Sequence, residues 1–163
     1  MSTPHILTIP CRKPAMTSNE QRRWHWSKQS EAIKTMHWQV RAALSARPVA
    51  RQSEPIAIRV TQYPPTRTAR DHDSLNPFMK AAQDALVKAG IIADDTSAIV
   101  RRGTTEIGPV DRENPRIEIA IIPATYCFVC DQTAPPPPAC GPNCHITDAD
   151  QELADRYAQE DHR

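Results

Sequence analysis

A chain of 163 residues, 39% hydrophobic and 24% charged, is long enough to bury one core of ordinary size. It has no long apolar run, which excludes a membrane-spanning helix, and its opening MSTPHILTIPCRKP lacks the positive start and continuous apolar stretch of a secretory signal, so a cytoplasmic protein with reduced thiols is expected. The net charge of +1 conceals an asymmetry: 12 Lys and Arg face 3 Asp and Glu in residues 1–70, 6 face 9 in residues 71–123, and 2 face 7 in residues 124–163. A basic half beside a compact acidic cluster suits a polyanionic partner handled through bound metal, with solvated surface charge as the plainer alternative.

HILTIP predicts a first strand, closed by Pro10. A basic loop follows, CRKPAMTSNEQRRWHWSKQ. From Ser27 or Ser30 to about Ala46, the residues Ile33, Met36, Val40, Ala43 and Leu44 recur at spacings of three and four, the stripe of an amphipathic helix that Pro48 ends. PIAIRVTQY alternates Ile56, Ile58 and Val60 against Ala57, Arg59 and Thr61, so a strand with one buried face is expected before Pro64 and Pro65. Phe78, Ala82, Ala85, Leu86 and Ala89 mark a second helix over about Pro77 to Ala89, with Gly90 suited to its end. TSAIVRRGTTEIG and PRIEIAIIP read as two more strands, joined through DRENP as a hairpin or a longer antiparallel connection.

The order β-α-β-α-β-β implies the α+β class: a mixed sheet with two main helices packed on it. Beyond residue 123 the composition shifts to TAPPPPAC and an acidic end poor in apolar residues, so residues 1–123 are expected to form the folded domain and residues 124–163 a Pro- and Cys-rich tail.

Chemistry concentrates in RDHDSLNPFMKAAQDALVKAGIIADD, residues 70–95. Asp71 and Asp73 are two apart, so in an extended segment both side chains leave one face, and Asp94 and Asp95 come just past the helix. Asp95 returns to the first pair if it begins a strand running beside the segment that carries Asp71. Three carboxylates and water would then make an oxygen-rich site for Mg²⁺ or Mn²⁺, with Lys80 available to stabilise phosphate charge. The structural alternative makes Asp73 or Ser74 a helix cap, the Asp94–Asp95 pair a solvated turn, and Lys80, Asp84 and Lys88 a surface ladder at four-residue spacing. A calcium EF-hand does not fit, because Asn76 and Ala82 stand where its glycine and its final glutamate belong.

This stretch resembles the signature of the RusA-like Holliday junction resolvases, in which an Asp-x-Asp-Asn-Leu element leads into a Lys-bearing helix, an Ala-Gly step and an Asp pair. The likeness covers most of residues 5–123, including PAMTSN before the long helix. Ser74 stands where the family has Asn, and NPF lengthens the approach to Lys80. The resemblance implies a homodimeric, Mg²⁺-dependent endodeoxyribonuclease that nicks opposing strands of a four-way junction in DNA recombination and repair. By the same resemblance Asp71, Asp73 and Asp95 hold the metal and Lys80 completes the catalytic set.

EQRRWHWSKQ is the expected DNA-contact segment: Arg22, Arg23 and Lys28 for phosphates, Trp24 and Trp26 for unpaired bases, with Arg12, Lys13, Arg67 and Arg70 extending the patch. The alternative is that a Trp anchors the loop to the core. His37 and Trp38 are assigned to packing or a dimer face. In the tail, Cys127, Cys130, Cys140 and Cys144, with His145 adjacent, are spaced for a structural tetrahedral Zn²⁺; free thiols on a proline-rich tail are the alternative. Two other functions stay open: a non-enzymatic DNA-binding protein with a zinc-stabilised tail, and a nuclease acting on other branched DNA.

Overall fold

Strand β1 (His5–Pro10) is followed by two helices, α1 (Ser18–Arg23) and α2 (Trp26–Ala46), and then by β2 (Ile56–Tyr63). A 3-10 turn over His72–Leu75 leads directly into α3 (Asn76–Lys88), after which come β3 (Val100–Ile107) and β4 (Arg116–Pro123). The architecture is that of a computed structural model, which describes residues 4–123, 126–127 and 132–133. Residues Thr3–Ala124 form one compact unit. In the remainder, the two-residue strands β5 (Tyr126–Cys127) and β6 (Gln132–Thr133) pair antiparallel. Cys130, Cys140, Cys144 and His145, and the side chain of Cys127, lie outside the described residues, so the zinc expectation is not addressed by the fold.

The four main strands make one mixed sheet in the order β1-β4-β2-β3, an α+β arrangement as the element order implies. β4 runs antiparallel to both β1 and β2, while β3 runs parallel to β2. Of the two connections expected between β3 and β4, the hairpin is wrong, because β2 lies between them; the strands run antiparallel without pairing, joined by the longer connection. Burial explains the order. β2 and β4 are apolar along most of their length and need a neighbour on each side, whereas β3 exposes Arg101, Arg102, Gly103 and Glu106 and tolerates an edge. Parallel pairing of β2 with β3 needs a crossover, and α3 supplies it.

Ile117, Ile119 and Ile121 of β4, Ile56, Ile58 and Val60 of β2, and Leu7 and Ile9 of β1 present one face to the helices. Met36 and Val40 of α2 and Phe78, Ala82 and Leu86 of α3 cover it. The opposite face is not simply solvated, contrary to the alternation in the sequence, for Ala57, Ala120 and Ile122 on that side are also buried. α3 ends as expected at Gly90, whose φ of 72° is a left-handed conformation that costs glycine little.

The segment read as a basic loop contains a helix. Thr17 caps α1 by a reciprocal box: its Oγ1 accepts from the Glu20 N–H at 3.3 Å, and Glu20 Oε2 accepts from the Thr17 N–H at 2.9 Å. After one break, His25 caps α2, with Nδ1 accepting from the Ser27 N–H at 3.4 Å. Gln29 Nε2 ties the two helices together by donating to the carbonyls of Gln21 and Trp24, both at 2.8 Å.

Candidate site at the entry to the second long helix

The approach to α3 is not the extended segment expected. Asp71 is extended, but His72–Leu75 wind into the 3-10 turn, so Asp71 and Asp73 do not share a face by strand alternation. That turn packs against α1, α3 and β3, which makes it the meeting point of the basic and acidic parts of the chain. Capping does not account for the acids: neither Asp73 nor Ser74 caps α3, whose N-cap is Leu75 without a side-chain hydrogen bond. Asp71 is the N-cap of the 3-10 turn, also without one.

The partners of the acids come from far along the chain. Asn19 Nδ2 donates to Asp71 Oδ2 at 3.2 Å, and Arg22 Nη2 stands 3.6 Å from Asp73 Oδ2. Ser18, which is buried, donates its hydroxyl to the Asp73 carbonyl. Three residues of the short helix α1, Ser18, Asn19 and Arg22, thus hold the acid segment from across the fold. The PAMTSN stretch supplies two of them.

Lys80, one turn into α3, is exposed and reaches two carboxylates. Its Nζ donates to Asp95 Oδ2 and lies 3.0 Å from Asp84 Oδ1. Hydrogen bonding to Asp95, then to Asp84, raises the ammonium pKa above its usual value, and the Lys80 hydrogen bond holds the Asp95 carboxyl below the usual carboxylate range. Asp95 does not begin a strand beside Asp71; it sits in the loop ahead of β3, and β3 pairs with β2. Asp94 turns back on the chain, its Oδ1 accepting from the Asp95 N–H at 2.7 Å. The surface ladder is half present. Lys80 pairs with Asp84, while Lys88 turns to His37, its Nζ 3.5 Å from Nδ1.

Among the described residues, no three His, Cys, Asp or Glu side chains stand together as a group able to hold a metal ion. In donor chemistry Asp71, Asp73 and Asp95 suit a hard divalent cation, since all their donors are carboxylate oxygens. In placement each is already engaged, by Asn19, Arg22 and Lys80, and a shared ion would have to displace the two cations.

The expected DNA-contact residues divide. Trp24 is half-buried against the core, with Lys28 Nζ 4.0 Å from its ring centroid, so it anchors the α1–α2 junction. Trp26 is 72% exposed, and Arg22 and Arg23 are exposed beside it in sequence. Lys13 pairs with Glu20 at 3.0 Å. Arg12 and Arg67 are exposed, whereas Arg70 folds back to donate to the Thr66 and Thr68 carbonyls at 3.0 and 2.7 Å. Trp38 is 70% exposed and so does not pack, against one of the two roles expected of it. Sequence reasoning overlooked Asn19 and Ser18 as holders of the acid segment; their adjacency to Arg22 was the available sign.

No helix among the described residues is long and apolar enough to cross a membrane. No family model matches the chain, and no curated protein is significantly similar to it.

Proposed function

We propose that this chain is an endodeoxyribonuclease acting on branched DNA, with the four-way junction as substrate, a homodimer as the working form and the cytoplasm as its place. One observation carries the reading: the segment bearing Asp71 and Asp73 is clasped by the basic helix α1, through Asn19 and Arg22, at the same helix entry from which Lys80 reaches Asp95. Phosphate-binding cations and carboxylates in one place are what phosphodiester hydrolysis requires.

Asp71, Asp73 and Asp95 would hold a divalent ion, Mg²⁺ or Mn²⁺, whose chemistry is to lower the pKa of water for attack on phosphorus. Lys80, charged and exposed, would stabilise negative charge on the scissile phosphate once Asp95 releases it. Arg22 would pass from Asp73 to a DNA phosphate by the same exchange, so that substrate binding frees the carboxylates. Arg23, Lys28, Arg12, Lys13 and Arg67 would supply further phosphate contacts and Trp26 a stacking surface. Cutting both strands symmetrically needs two copies related by a two-fold axis. Cys127, Cys130, Cys140 and Cys144, on their spacing alone, would bind a structural zinc ion.

The test is incubation of the protein with labelled four-way junction or linear duplex and Mg²⁺. Paired nicks near the branch point are expected, and Asp71→Asn or Asp73→Asn should lower cleavage by about a hundredfold or more while junction binding persists. Normal cutting by either variant removes the site assignment. The closed ion pairs of Asp73 and Asp95 favour a second reading, a DNA-binding protein without catalysis, which the same assay exposes as binding without nicks.

A further inference from the structure

Beyond its first turn, the outer face of α2 around Trp38 takes no part in the site just described. Trp38 is 70% exposed, and residues four before and three after it on a helix are its neighbours, here Lys34 and Arg41. Neither cation has an ion-pair partner among the described residues, and both are exposed. Beside this face an open groove of about 540 Å³ runs between the later parts of α2 and α3. Leu44, Val49, Ala85 and Ile91 give it an apolar floor, and Arg41, Lys88 and His37 a basic and polar rim. His37 Nε2 is buried without a hydrogen-bond partner, 3.9 Å from Asp84 Oδ2.

We propose that this face binds single-stranded nucleic acid, an unpaired base stacking on Trp38 while Lys34, Arg41 and Lys88 meet successive phosphates and the groove takes the neighbouring nucleotide. An exposed indole between two cations is the combination that strand-binding surfaces use, because every base has a π face and every linkage a negative charge. The groove is of the size that holds a small ligand. A second copy of the chain fits poorly, since two-fold pairing here would set Lys34, Arg41 and Lys88 of one copy against the same residues of the other. Lys88 lies eight residues beyond Lys80 on α3, about 12 Å along the helix axis, so a strand leaving the candidate catalytic site can reach the groove within a few nucleotides. The inference extends the DNA reading to an unpaired arm or flap, and its test does not depend on cutting.

Fluorescein-labelled oligo(dT) of fifteen nucleotides is titrated with the full chain in EDTA and followed by anisotropy. Trp38→Ala should weaken binding about tenfold and Trp38→Phe much less. Arg41→Gln and Lys88→Gln should each lower the slope of log affinity against log salt by about 0.7. Binding by folded Trp38→Ala within twofold of the parent overturns the proposal. So does a parent affinity for polyglutamate equal to that for oligo(dT), which would make the partner an acidic protein, or dissociation of a parent dimer by Trp38→Ala in sedimentation, which would make it a second copy. Failure of junction cleavage with these binding results intact removes the nuclease reading and leaves this one standing.

Discussion

At the scale of single residues, the side chains that matter are held by partners remote in sequence. Asp73 answers to Arg22 and Asp95 to Lys80, and neither pairing follows from spacing along the chain. Because each pair has an exposed cation at the surface, their worth to folding is small, and their interest is that positive charge already occupies the carboxylates a metal would use. His37 carries a more direct consequence. Burial, then the charge of Lys88, lowers its pKa below the ordinary value, with Asp84 opposing. The unfolded chain therefore takes up the proton more readily than the folded one, so His37 makes stability fall as pH drops below about 6.5, down to its folded pKa. Urea midpoints measured between pH 5 and 7.5 should decline less steeply on the acid side for His37→Gln than for the parent. Equal slopes would show that His37 titrates alike in both states.

At the scale of elements, the helices were legible where periodicity was long and illegible where it was short. α3 falls within a residue of the apolar stripe that marked it, and α2 starts at Trp26, one residue before the earlier of its two expected starts, Ser27 and Ser30, and ends at Ala46 as expected. The six residues of α1 are too few to show a stripe, yet the sequence carried its signal in Thr17 and Glu20, the ends of a capping box. The 3-10 turn before α3 had no such mark. Among the loops, the turn leaving β3 is tight: Gly108 donates its N–H to the Gln62 carbonyl at 2.8 Å, and a Cβ there would lie 2.9 Å from Tyr63 Cε1 and 3.3 Å from Thr61 Cγ2. The Tyr63 ring has little room to yield, with the Arg116 guanidinium 4.0 Å from its centroid and fixed in turn by Asp111 and Glu118, each at 2.7 Å. Gly108→Ala should cost about 1–3 kcal/mol, read as a lower urea midpoint at unchanged m-value. A neutral result would mean that the β3 exit is looser than its contacts imply.

At the scale of the whole molecule, the fully buried large side chains among the described residues, from Leu7 to Ile121, belong to the unit Thr3–Ala124. A chain ended after Pro123 should accordingly keep one cooperative thermal transition within a few degrees of the parent, since its core is unchanged. It should also lose the roughly one zinc ion per chain expected of the full protein on the spacing of its tail cysteines. Elemental analysis of both chains, beside their melting curves, checks the two halves of that statement. A truncated chain that fails to fold would show that the tail contributes to the core.

Local composition was sufficient for much of this protein. Alternation and three-four spacing reveal strands and long helices because one buried face imposes its period on consecutive residues, and the change to proline and acid beyond residue 123 marks where apolar material runs out. The acidic motif and the basic segment could likewise be read as chemistry before any fold was known. Sheet order was beyond reach: β2 enters between β3 and β4 because neighbours are chosen by which strands need burial on both edges, a comparison among distant segments. For the same reason only the folded chain decides that Arg22 faces Asp73, that Lys80 faces Asp95, and that Trp38 stands in solvent rather than in the core. Contacts of that kind depend on how whole elements pack, and no window of consecutive residues contains both partners.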